Sequence, residues 1–217
     1  MAKFEPIRFD PSLAHVLCFR HGPRAAPPPA GNSWDYWRML SQPDAPAIAK
    51  RTVGTYFPDL VPAALRCSQI PRSAQTLGLL WPDLVSDIRL DRRLGIEFED
   101  VPQWRTIDAR ADAYNMSAYE QYEMLPALID LHGIESFNAG TDLATEVEAG
   151  RVGVMCSHVP IADAFARYVR KVLTFTENDC WLPVHRFEPG AFVHVGYRML
   201  DFKYRPVFCE YHQVPTE

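Results

Sequence analysis

Three apolar runs in this chain end in groups that can carry positive charge. His15-Val-Leu-Cys-Phe19 stops at Arg20-His21-Gly22-Pro23-Arg24, Val61 to Cys67 is followed by Ser68 and then Arg72, and Gly153-Val-Met-Cys156 stops at Ser157-His158. Short apolar runs bounded in this way read as buried strands. If those strands are parallel, their carboxyl ends share one edge of a sheet, the place where open α/β sheets bind ligands. Arginines converging on such an edge require an anion. Guanidinium groups match phosphate oxygens through paired hydrogen bonds, so phosphate is the expected ligand.

The rest of the chain does not dilute that expectation. Its 217 residues hold 22 Lys and Arg against 27 Asp and Glu, a net charge of −5. With no Lys/Arg run, binding of nucleic acid or an anionic membrane is not expected, and positive charge that matters must be concentrated in a site. Apolar residues at 47% and charged residues at 23% are ordinary for a soluble globular protein. The length suits a single domain over residues 1–217, with a core large enough to need neither disulfide nor metal. Five cysteines, Cys18, Cys67, Cys156, Cys180 and Cys209, are an odd number without CxxC spacing, and are expected to be reduced. The start Met1-Ala-Lys-Phe-Glu-Pro has no apolar leader segment, and no run of about 18 apolar residues occurs, so a cytoplasmic location is expected.

The elements that must position these residues can be read in outline. Between 23 and 43 lies a loop rich in Pro, carrying Trp34, Tyr36 and Trp37, which reads either as a lid over the organic part of a substrate or as a segment packed on the core. Asp44 and Pro46 open a helix with Ala45, Ile48, Ala49 and Val53 at helical spacing. Pro71 to Leu77 reads as a helix with Arg72 in its first turn, and Ser86 to Leu90 as a third strand. Ser117-Ala-Tyr-Glu120 matches a capping box ahead of Met124, Leu125, Leu128 and Ile129. Pro160 opens a helix whose Ile161, Ala164, Phe165, Tyr168, Val169 and Val172 share a face. Ala191 to Tyr211 alternates and predicts two paired strands at a sheet edge. Strands alternating with helices predict a three-layer α/β/α sandwich on a mostly parallel sheet, with antiparallel strands allowed at its edge.

Arg20-His21-Gly22 after one strand, Ser68-x-x-x-Arg72-x-x-Gln75-Thr76 after the second and Ser157-His158 after a later one resemble the histidine phosphatase superfamily, in its shorter phosphoglycerate mutase-like branch. The similarity runs over most of residues 14–172. A lone Arg-His-Gly is weak as a signal; three elements in order are a strong one. The resemblance implies that His21 is a nucleophile that becomes a phosphohistidine, and that Arg20, Arg72 and His158 hold the phosphoryl oxygens. It also implies phosphate contacts from Gly22 and Ser157, and a carboxylic acid after the third strand to protonate the leaving oxygen. His158 should be cationic once phosphate is bound, because nearby negative charge favours its protonated form.

Two departures from the family pattern matter. Leu94-Gly95-Ile96-Glu97 is one residue longer than the usual Leu-x-Glu, which makes Glu97 the first choice for the acid, with Glu99 and Asp100 as alternatives. Arg24 stands where mutase-like members commonly carry a small hydroxyl residue; Arg-His-Gly-x-Arg resembles the acid-phosphatase branch instead, in which the second arginine adds a phosphate contact. The mutase branch's Trp-Asn pair is absent. These features favour a metal-independent phosphomonoesterase without a cofactor, acting on a phosphorylated small molecule or a phosphoprotein. A phosphomutase fed by a phosphorylated cofactor and a catalytically weak phosphate-binding module are the alternatives. Cys18-x-x-His21 and Cys156-x-His158 invite a zinc reading, but buried strand cysteines explain them more simply, and no metal is expected. His15, His132, His185, His194 and His212 belong to no motif and are expected to be structural.

Overall fold

A computed structural model describes residues 4–25, 40–95, 126–174 and 187–216, with the side chains of 126–131, 159, 160 and 174 excepted. Within them six strands form one sheet: β1 (Ala14–Arg20), β2 (Ala64–Cys67), β3 (Ile88–Leu90), β4 (Val152–Ser157), β5 (Phe192–Leu200) and β6 (Lys203–His212), in the order β3-β2-β4-β1-β5-β6. β1, β2, β3 and β4 run parallel to one another, whereas β5 is antiparallel to β1 and β6 to β5. The expected fold class, mostly parallel with antiparallel strands at one edge, is the observed one. Ser86 and Asp87, read from the sequence as the start of β3, belong instead to a 3-10 turn over Pro82–Asp87, and the run read from Val61 becomes a strand only at Ala64, with Val61 exposed.

Every residue of β1 is buried, as its continuous apolar run requires of a central strand covered on both faces. On one face, Val16 and Cys18 meet helix α3 (Pro126–Val147) and helix α4 (Val159–Thr174) through Leu143, Phe165 and Val169. On the other, Leu17 and Phe19 meet α1 (Asp44–Tyr56) and α2 (Pro71–Leu80) through Tyr56, Leu77 and Leu80. The period-two alternation of β1 thus divides the molecule into three layers. It also separates two cysteines that might have shared a metal: Cys18 lies in the first cluster and Cys156 in the second, on opposite faces of the sheet. Cys18, Cys67 and Cys156 are buried and free, and burial pushes the Cys67 thiol up to about 11.

The capping box at 117–120, with Met124 and Leu125, lies outside the described residues; Leu128 and Ile129 fall in α3, described from Pro126. α3 is tied to the β2–β3 edge by ion pairs. Glu146 takes Arg66 at 2.6 Å and Arg89 at 3.1 Å, and Asp142 takes Arg93 at 2.7 Å. Arg93 also binds Asp91 through two oxygens at 3.0 and 2.8 Å. Although burial acts in the other direction, these bonds hold the Asp91 carboxyl below its usual range. None of the helices among the described residues is long and apolar enough to cross a membrane.

β4 is squeezed between β1 and β2, and at Gly153, paired with Val16 and Ala64, it also receives Leu143 of α3. A Cβ there would stand 2.5 Å from Leu143 Cγ, an atom too close to its own backbone to swing aside. Gly153→Ala is therefore expected to destabilise the protein by about 1–3 kcal/mol. Urea unfolding should show a lower midpoint at unchanged slope, whereas an unchanged midpoint would mean that α3 is not seated as described.

Candidate active site

The parallel register brings the ends of three strands to one line, with Arg20 opposite Ser157 and Cys67 opposite Cys156. The ladder continues one residue further on both sides, since His21 N–H donates to Ser157 O at 3.0 Å and Ser68 N–H to Cys156 O at 3.1 Å. Arg20, His21, Ser68 and His158 are thereby fixed by backbone bonds or stand next to residues so fixed. Arg72 reaches the same edge from the first turn of α2, whose N-terminus follows β2 after a short turn. Helix N-termini present N–H groups and positive potential, so α2 adds to the cationic field. The site lies where the chain order reverses around β1 and β4, as α/β sheets require of a ligand crevice.

Within it, His21, Arg20, Arg72 and His158 are all buried, with exposures between 3% and 8%. The His21 ring is clamped at both nitrogens. Nδ1 lies 2.6 Å from the carbonyl of Gly22, which can only accept, so this nitrogen carries the proton. Nε2 is then the lone-pair nitrogen, and it accepts from Arg72 Nε at 3.1 Å. The His158 ring lies 5.1 Å from that of His21 and directs Nε2 at Ser68 Oγ, 2.7 Å away, and at Ser73 Oγ, 3.3 Å away. Burial, reinforced by His158, Arg72 and Arg20, drives the His21 pKa well below its ordinary value. Burial together with Arg72, Arg20 and Arg24 does the same for His158. Without an anion, both rings are neutral.

The other expected site residues fall into place unevenly. Arg20 binds the carbonyl of Phe187 through one guanidinium nitrogen. The Gly22 N–H donates to Thr76 Oγ1 at 3.0 Å, and the Thr76 hydroxyl donates to Arg72 O at 2.8 Å, so Gly22 ties β1 to α2. The Ser157 hydroxyl donates to Leu94 O at 2.6 Å and secures the stretch that leads toward 97. Arg24 is half-buried and pairs with Leu40 across the base of the 23–43 loop, where Ser41 N–H also bonds Pro23 O at 2.8 Å. Trp34, Glu97, Glu99 and Asp100 lie outside the described residues. Sequence reasoning missed Ser73, buried beside Arg72 and bonded to Ser68 at 2.9 Å. Its place in the first turn of α2, next to an arginine assigned to the site, was the available signal.

The fold that carries this site is that of the phosphoglycerate mutase-like histidine phosphatases. It aligns with the mycobacterial glucosyl-3-phosphoglycerate phosphatase at a TM-score of 0.56 and 17% identity, covering 92% of this chain and 97% of the other. The YhfR protein of Bacillus stearothermophilus aligns at 0.56 and 14% identity over 88% and 94%. The phosphoglycerate mutase of Bacillus anthracis str. Sterne aligns at 0.53 and 15% identity over 90% and 92%. No protein-family model matches the sequence, and no curated protein matches it.

Two neutral, buried imidazoles make stability sensitive to acid. Both pKa values are lower in the fold than in the unfolded chain, near 6.5, so on acidification the unfolded state takes up protons first. Stability is complete above about pH 6.5 and falls as the pH drops below it, with a slope that approaches one proton per ring. Chemical denaturation at several pH values between 7 and 5 should show this loss, and His21→Gln and His158→Gln should each reduce the slope. Equal slopes in wild type and both variants would contradict the neutral, buried state.

Proposed function

We propose that this protein is a phosphomonoesterase that works through a phosphohistidine on His21, without a metal. The observation that carries the proposal is the clamp on His21. A carbonyl holds the proton on Nδ1, and Nε2 keeps its lone pair beside Arg72 in a buried, cationic site. A neutral imidazole with a fixed tautomer is a nucleophile that needs no separate base. An arriving phosphoryl group replaces the bond between Arg72 and His21 with bonds to its own oxygens. Arg20 and His158 complete the cradle, where cations aligned in advance lower the energy of the charged transition state.

The chemistry then runs in two displacements. Nε2 attacks phosphorus as the ester P–O bond breaks, and the leaving oxygen takes a proton from a carboxylic acid, assigned to Glu97. Water next attacks the phosphohistidine, the P–N bond breaks, the carboxylate takes the water's proton, and inorganic phosphate departs. Leu94, held by Ser157 and followed by Gly95 against Gln69, delivers the chain to the site edge two residues before Glu97. Phosphate binding reverses the electrostatics at His158 and draws a proton onto it. Arg24 adds a contact at the mouth, and the contact with the organic group of a phosphorylated small molecule or phosphoprotein is assigned to Trp34. The similarity in fold to phosphatases and to a mutase agrees with phosphoryl transfer; hydrolysis is favoured over mutase activity by Arg24.

Steady-state hydrolysis of p-nitrophenyl phosphate with EDTA, between pH 5 and 8, tests the proposal. Turnover should survive the chelator, disappear in His21→Ala, and fall about 100- to 1000-fold in Arg72→Ala. Glu97→Gln should slow alkyl phosphates far more than p-nitrophenyl phosphate, whose leaving group needs little protonation. Absence of turnover above the His21→Ala background at every pH would overturn the phosphatase reading, and a requirement for added bisphosphate would replace it with the mutase.

A further inference from the structure

Three histidines that belong to no motif meet at the antiparallel edge of the sheet, behind the strand ends that form the site. His15 of β1, His194 of β5 and His212 of β6 share the face that carries Phe19 and Phe192, and Glu210 lies opposite His194 in the β5–β6 register. One ring nitrogen each from His194 and His212 and a Glu210 carboxylate oxygen lie within 4.8 Å of one another. His212 Nε2 and Glu210 Oε2 are already 3.8 Å apart.

The hydrogen bonds behind His194 determine which of its nitrogens is bare. His15 Nε2 lies 2.9 Å from the carbonyl of Asp10, which only accepts, so His15 carries its proton there and its Nδ1 is an acceptor. His194 Nε2, 2.9 Å from that Nδ1, must then donate. A neutral His194 is left with an unprotonated Nδ1, which is buried and has no hydrogen-bond partner among the described residues; His194 as a whole is 2% exposed. His212 Nε2 is likewise buried with no hydrogen-bond partner among the described residues. A bare lone pair in the interior is a cost that the fold bears unless something accepts it.

We infer that His194, His212 and Glu210 form a zinc site. Two imidazoles and a carboxylate are a donor set that suits zinc, with water in the fourth position. The relay from His194 to His15 to the Asp10 carbonyl is the outer support that metal-bound histidines require, fixing tautomer and ring orientation. The rings are oriented by packing as well. His212 stacks on Phe192 at 4.8 Å and 9°, and His194 meets Phe208 edge-on at 4.8 Å. Tetrahedral ligands at zinc-nitrogen distances stand roughly 3.4 Å apart, so the site closes by up to about 1.4 Å on binding. Glu210, exposed to solvent, can supply that movement and provides the entry path. The ion would staple β6, the outermost strand, to β5, and it takes no part in chemistry at His21.

Zinc titration of the metal-stripped full chain, in competition with a colorimetric zinc chelator, tests this. One zinc per chain is expected, with affinity falling at least 10-fold in Glu210→Gln and stoichiometric binding lost in His212→Gln. His15→Gln, which removes the relay but no ligand, should cost about 10- to 100-fold. Cobalt should give the visible absorption of a four-coordinate ion in wild type and lose it in His212→Gln. Glu210 is a surface residue, so its variant will fold, and hydrolysis of p-nitrophenyl phosphate should be unchanged in it. Wild-type protein that binds no zinc against the chelator, or Glu210→Gln and His212→Gln that bind as wild type does, would overturn the site whatever the outcome at His21.

Discussion

The Gly22 carbonyl fixes the proton of His21, and through it the use of the whole strand-end edge. A histidine in water exchanges tautomers freely; here a bond of 2.6 Å to the next residue's backbone leaves one nitrogen protonated and turns the other toward Arg72. The same residue's N–H is held by Thr76, whose hydroxyl is held in turn by the Arg72 carbonyl. His21 and Arg72 are thus parts of one short hydrogen-bonded circuit joining β1 to α2. Displacing either element would alter the tautomer as well as the distance.

That circuit sits in an unusual electrostatic balance. Arg20 and Arg72 are buried in a chain with an excess of acidic residues, and the two histidines nearest them are neutral because burial and the arginines both oppose protonation. Buried cations stay where they are only if the surroundings satisfy them. Part of that satisfaction is visible in the Phe187 carbonyl on Arg20 and in His21 itself on Arg72. A dianion between them would satisfy both more fully than these single neutral acceptors do.

Much of this was legible in the sequence, and for a physical reason. A strand buried on both faces shows as a largely apolar run, so β1 and β4 announce themselves, and the polar residues that end each run are the ones placed at the edge. Arg20, His21 and His158 could be read in that way; Arg72 is read from its place in the first turn of the helix that follows β2. Ser73 could not, because a serine in the first turn of a helix usually serves the helix, and only the fold turns it toward His158. Nor could the tautomer of His21, which depends on a carbonyl, a group every residue possesses. The start of β3 was misplaced because Ser86 and Asp87 belong to the turn that Pro82 opens, although Val85, Ile88 and Leu90 make the segment look extended.

The histidines at the other edge show the complementary failure of reading along the chain. His15, His194 and His212 are 179 and 18 residues apart, a spacing without meaning until β5 pairs with β1 on one side and β6 on the other. Pairing puts them on one face, and the stack of Phe19, Phe192 and His212 then links that face to the strand that ends in Arg20 and His21. β1 therefore carries two polar centres, one at its carboxyl end and one near its start, separated by the aromatic rings of Phe19 and Phe192. The sheet that aligns cationic side chains at one end assembles imidazoles at the other, and the same alternation of side chains produces both.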